Sequence, residues 1–154
     1  MALKRAVYPG AFKRHIEVIM RVCTELTGHR EYDLRFRYSP TADPGDDGCS
    51  SVKVTIQTNC TYLFATVTVY PGLLDYWKEK NYFDIGECLL HEACHLLTEP
   101  IVELFMWDVP ASQKTHVRCV IERQTQRTCN ALLKHLPEDW YGLRKKPIAK
   151  RNST

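Results

Sequence analysis

Apolar positions recur along this chain at two different spacings, and the switches between them mark out its elements. Between residues 11 and 26, Ile16, Ile19, Met20, Cys23 and Leu26 fall three or four apart. That spacing lines one face of a helix, and Thr27-Gly28 supplies its stop. From 32 to 38 the spacing drops to two. Tyr32, Leu34, Phe36 and Tyr38 alternate with Asp33, Arg35 and Arg37, which predicts a half-buried strand with its arginines on the solvated side. Residues 40–51 read as a loop, rich in Pro, Gly, Asp and Ser. Residues 51–57 alternate as a second strand, and 61–70 make a third. Thr58-Asn59-Cys60 is the hairpin turn between them. Pro71-Gly72 ends the third strand, and 73–80 form a short helix carrying Leu74, Tyr76 and Trp77.

A second helical stretch runs from Asp84 to Leu97, with Leu89, Leu90, Ala93, Leu96 and Leu97 as its apolar stripe. Asp84 is placed to cap it, and Glu87 three positions later completes a capping box. Glu99-Pro100 predicts its end, because the residue before proline avoids helical angles. Residues 101–107 form an apolar connector. Ser112 then caps a long helix that reaches about Leu136, just before Pro137. Its expected buried stripe is Val117, Val120, Ile121, Thr128, Ala131, Leu132 and Leu136. The order of elements predicts an α+β fold, one domain over residues 1–144. Residues 145–154 follow as a basic, solvated tail.

Bulk properties narrow the class. The chain has 154 residues, is 44% hydrophobic, and carries a net charge of +3, too small to argue for nucleic acid by itself. No apolar run approaches membrane-spanning length, and the first residues lack the apolar core of a secretion signal. Seven cysteines at irregular spacings, none in a C-x-x-C pair, predict reduced thiols and a cytoplasmic location. Cys49 and Cys60 flank the second strand and are expected to stay unpaired.

The chemistry is concentrated in His91-Glu92-Ala93-Cys94-His95, an H-E-x-x-H pattern on the second helical stretch. Residues four apart share a helix face, so His91 and His95 can grip one metal ion. Glu92 is rotated by about 100° from His91 and can reach a water on that ion. Two imidazoles and a neighbouring glutamate are the parts of a zinc peptidase site. Cys94 borders the motif and reads as a small packed side chain.

A catalytic zinc usually takes three protein ligands. Position 98 is Thr98 and position 101 is Ile101, which excludes the zincins that place a glycine and a third histidine there. Glu99 would sit about 12 Å along the helix from His91, too far to join the same ion. Glu122 is the best placed. It lies mid-way along the last long helix, beside Ile121, where a carboxylate next to apolar side chains needs a partner. Glu103, Asp108, His116 and His135 remain alternatives, as does a Glu122 that merely pairs with Arg118 or Gln126.

His91-Glu92-Ala93-Cys94-His95-Leu96-Leu97-Thr98, followed by Val120-Ile121-Glu122-Arg123, resembles the gluzincins. It is most similar to the minimal gluzincins (minigluzincins) and to small phage-borne proteins of the same pattern. The resemblance covers residues 50–136. It implies a minimal zincin fold: an N-terminal helix, a small mixed or antiparallel sheet of about three strands, an active-site helix and a C-terminal ligand helix. It further implies a zinc-dependent metallopeptidase, with Zn2+ held by His91, His95 and Glu122 and with Glu92 as general base. The strand between Thr61 and Tyr70 would line the cleft and pair with an extended peptide substrate. Larger gluzincins have an aspartate four residues after the ligand glutamate. Gln126 stands there in this chain.

On this reading, zinc lowers the pKa of a water, Glu92 takes its proton, and the hydroxide attacks the scissile carbonyl. Tyr141, His116 and His135 are candidates for stabilising the oxyanion. The rival reading is a non-proteolytic zincin-fold binding module with structural zinc. Nucleic acid would then meet a basic face made of Arg35, Arg37, Lys145, Lys146, Lys150 and Arg151. Glu92 favours chemistry, since a structural site needs no base.

Overall fold

The computed structural model describes residues 6–42, 52–137 and 140–141. The elements run α1 (Gly10–Leu26), β1 (Asp33–Tyr38), β2 (Val54–Asn59), β3 (Phe64–Val69), α2 (Pro71–Lys78), α3 (Tyr82–Phe105) and α4 (Ala111–Leu133). The mixed α+β class and the three strands agree with the sequence reading. The tail at 145–154, most of the 40–51 loop and Cys49 lie outside the described residues.

The sheet is mixed, in the order β1-β3-β2. β1 runs parallel to β3, and β2 antiparallel to it. β3 takes the centre for a visible reason. Its Ala65, Val67 and Val69 are all fully buried, and such an apolar row suits a strand with neighbours on both sides. This corrects one expectation. Both edges of β3 are paired, so the strand between Thr61 and Tyr70 has no free edge for a peptide. The edge beside the candidate site belongs to β2. On β1, Leu34, Phe36 and Tyr38 pack on the core while Asp33 and Arg37 stay exposed. Arg35 pairs with Asp33 at 3.1 Å, and its guanidinium lies 4.1 Å from the centre of the Phe64 ring.

One face of α3 forms the middle of the core through Ile85, Leu89, Leu90, Ala93 and Cys94. Against it pack Phe12, Ile16, Ile19, Met20 and Cys23 of α1, with Val67 and Val69 of the sheet. Trp140 and Tyr141 close the near end. A Cβ on Gly86 would stand 2.9 Å from the Trp140 ring, so only glycine allows that approach.

Two boundaries differ from those expected. The N-cap of α3 is Asn81, three residues before Asp84, and its side chain does not cap the helix. Instead the Asn81 amide donates to the Asp84 carboxylate, which sits in the first turn. At the other end α3 continues through Pro100 to Phe105. Proline removes one backbone donor and crowds the preceding turn, but a long helix with a partner alongside absorbs that cost. Thr98 Oγ1 donates to the His95 carbonyl at 3.2 Å, beside the interruption. The C-terminal part of α3 therefore pairs with α4 as a helical hairpin rather than forming a connector.

The buried stripe of α4 also differs. Only Thr125 and Cys129 are fully buried on it, continued by the half-buried Leu132, Leu133 and Leu136. Ala131 and Val120 are exposed, and Val117, Ile121 and Thr128 are half-buried. The N-cap is Pro110, not Ser112. Two small residues, Thr125 and Cys129, carry the seam because α4 packs closely on α3 there.

Candidate metal centre

His91 and His95 lie one turn apart on the face of α3 opposite its core residues, with ring centres 5.1 Å apart. Glu122 reaches them from α4. One carboxylate oxygen lies 2.9 Å from His91 Nε2 and the other 3.4 Å from His95 Nε2. The seam explains this placement. Glu122 precedes Thr125 and Cys129 by three and seven residues, so it continues the α4 face that packs on α3. It emerges where that face meets the two histidines, and its side chain stays 58% exposed toward the cleft.

Glu92 joins the group from the other side. Its Oε2 accepts the backbone N–H of Ile56, on the outer edge of β2, at 2.8 Å. Ligand-capable atoms of His91, Glu92 and His95 all lie within 4.8 Å of one another, a group that could hold a metal ion. Within this cluster Glu92 is tied to the sheet, whereas Glu122 spans both imidazoles. Two imidazole nitrogens facing one carboxylate are the donor types of a catalytic zinc site. His91 Nδ1 is buried and has no hydrogen-bond partner among the described residues, so the other ring nitrogen is left unanchored.

Burial sets the proton balance. It pushes the Glu92 carboxyl up to about 8, with the Glu122 and Glu99 carboxylates adding to the rise and the Ile56 N–H opposing it. It lowers His95, against the pull of Glu122 and with the help of His91. A lowered histidine is neutral near pH 7, the form that binds a metal. Glu99 is raised by burial and by Glu103.

These shifts have a consequence for stability. A carboxyl raised by folding keeps its proton in the folded state, so its contribution is full below about 4.5 and is lost as pH rises toward 8. The lowered His95 works the other way, but only below its ordinary 6.5. Metal-free protein is therefore expected to lose thermal stability between pH 6.5 and 8, and Glu92→Gln to flatten that slope. Melting curves of both proteins in chelator across this range check it. Equal slopes would show that Glu92 is not held protonated.

Two cavities flank the centre. One, of about 550 Å³, adjoins His95 and Glu122 and is walled by Val102, Met106, Trp107 and Ile121, with Lys114 and Arg118 as its cations. The other, of about 400 Å³, adjoins His91 and Glu92 between Val54 and Lys53 on the strand side and Glu122 and Gln126 on α4. Together with the β2 edge they form a cleft across His91, Glu92 and His95.

Among the expected residues, His91, Glu92, His95 and Glu122 come together. Glu99 and Glu103 line the His95-side cavity. His116 and His135 are exposed and line neither cavity, and Asp108 sits exposed near the hairpin turn. Tyr141 is buried in the core beside Gly86, which removes it as an oxyanion donor. Cys94 is buried in the core with Cys23 and Cys129, as its packing role requires. The Ile56 amide and Lys53 were not anticipated, and Arg118 was expected only as a partner for Glu122, whereas it lines the cavity wall. Arg118 alone had a signal, one turn before Glu122.

No known protein family, no curated protein and no solved structure matches the chain. No described helix is long and apolar enough to cross a membrane.

Proposed function

We propose that this chain is a zinc-dependent metallopeptidase of gluzincin type. The observation that carries this reading is the placement of Glu122, whose carboxylate meets His91 Nε2 and His95 Nε2 from a separate helix. His91, His95 and Glu122 would hold the ion, and Glu92 would act on the water beside it. The bound ion supplies a polarised water and a Lewis acid for the substrate carbonyl. This chain's own residues do the rest. Glu92 keeps its proton near neutral pH in the metal-free protein, but beside a bound cation its carboxylate would be the favoured form, able to accept a proton and return it to the leaving amine. Burial around His95 keeps that ligand neutral. The outer edge of β2 offers main-chain groups to an extended peptide, which replaces β3 as the proposed substrate strand. Lys114 and Arg118 supply positive charge on the wall of the cleft.

The test is chelation and restoration. Purified protein is incubated with unfolded polypeptide, and products are read by mass spectrometry. New termini are expected with zinc, none in chelator, and recovery when zinc is returned. A protein that binds zinc stoichiometrically and cleaves nothing would favour the non-proteolytic binding module instead.

A further inference from the structure

A threonine inside a helix has a ready partner. Its hydroxyl can donate to a carbonyl three or four residues back in the same helix. Thr24, Thr98 and Thr128 do so, at 2.8, 3.2 and 3.1 Å. Thr125 of α4 does not. Its side chain is 1% exposed, and its Oγ1 has no hydrogen-bond partner among the described residues. A buried hydroxyl in that state costs stability, so its presence calls for a reason.

Position supplies one. Thr125 stands on the α4 face between two contacts with α3. One turn before it, Glu122 meets His91 Nε2 at 2.9 Å. One turn after it, Cys129 Sγ lies 4.0 Å from the carbonyl of Glu87, itself one turn before His91. Thr125 is therefore bracketed against the stretch of α3 that ends in His91. In that stretch His91 Nδ1 is also buried and also without a partner among the described residues. The two groups are complementary. An imidazole that gives Nε2 to a metal carries its proton on Nδ1, and that proton needs an acceptor. A threonine oxygen has two lone pairs with which to accept it. The neighbouring Gln126 is turned elsewhere: it is exposed, and its Nε2 donates to Asn130 Oδ1 at 2.9 Å.

We propose that Thr125 is the positioning residue of the metal centre. Its hydroxyl accepts the Nδ1 proton of His91, directly or through one buried water, and so holds the ring with Nε2 toward the ion. This assignment rests on the metal-binding part of the proposed function and not on peptide hydrolysis. It gives α4 two duties one turn apart: Glu122 faces the ion, and Thr125 steadies the histidine that Glu122 meets. It also explains why this threonine forgoes the carbonyl of its own helix.

Zinc affinity of the full chain, read by competition with a chelating dye, tests this. Thr125→Val keeps the branched shape and removes the hydroxyl. It should weaken zinc binding by about 10- to 100-fold, and Thr125→Ser should recover most of that loss. Metal-free stability should not fall with it. With the unpartnered hydroxyl gone, Thr125→Val should melt in chelator at the parent's temperature or a few degrees above it. A merely structural threonine would lower both. Cobalt in place of zinc views the ligands themselves: the visible absorption bands of Thr125→Val should shift, and those of Thr125→Ser should match the parent's. This pattern supports the assignment whether or not the protein cleaves peptide. Parent-like zinc affinity in Thr125→Val overturns it and leaves the metal centre standing. So does a loss of affinity in Gln126→Ala that Thr125→Val does not share. A parent chain that binds no zinc overturns the assignment and the metal centre together.

Discussion

Glu92→Gln is expected to bind zinc as the parent does and to lose peptide hydrolysis by about 100- to 10,000-fold, the usual worth of a positioned proton-transfer group. Glutamine has nearly the same shape, and its side-chain oxygen can still accept the Ile56 N–H now held at 2.8 Å. The proposed ligands are untouched. What disappears is a group able to take a proton from water and give it to an amine. Metal content by elemental analysis and single-turnover cleavage should therefore separate. If the variant cleaves at the parent rate while holding zinc, the proton leaves by another route. If it loses zinc as well, Glu92 is a ligand and the assignment of Glu122 weakens.

Glu122→Ala should act on the metal itself. Losing an outer partner of a metal ligand typically costs 10- to 100-fold in affinity. Removing a carboxylate that faces both imidazoles should cost more than about 100-fold. Competition with a chelating dye measures this directly. The same variant makes a second, opposite statement about the metal-free protein. The Glu122 charge is one cause of the raised Glu92 carboxyl, so its removal should bring Glu92 down in titrations without metal. Full zinc affinity in Glu122→Ala would pass the third position to Glu92, whose carboxylate lies within 4.8 Å of ligand atoms on His91 and His95.

Much of this site is local, and local features can be read from sequence. His91 and His95 had to share a face of any helix they occupied, and the leucines around them required that helix. The strands were legible because alternation at spacing two is also local. Their order was not, since a parallel pairing of β1 with β3 joins residues 33–38 to 64–69 around a whole intervening strand. That non-local choice moved the free edge from β3 to β2. The α4 seam was hidden for a different reason. Thr125 and Cys129 carry it, and neither looks like core until the closeness of α3 is known. Pro100 misled because a proline stop is a tendency of isolated helices, which a packed neighbour overrides. The Ile56 contact had no signature at all, because every non-proline residue has an N–H.

That last contact joins two events that look independent. One amide proton cannot serve two acceptors at full strength. A peptide laid along the outer edge of β2 would claim the Ile56 N–H for a ladder bond, and Glu92 would surrender it in the same step. The hydrogen bond is what draws the Glu92 carboxyl down against its burial, so its loss leaves a more avid proton acceptor. Occupancy of the cleft and basicity of Glu92 would then be two readings of a single switch, thrown by the arrival of a peptide backbone.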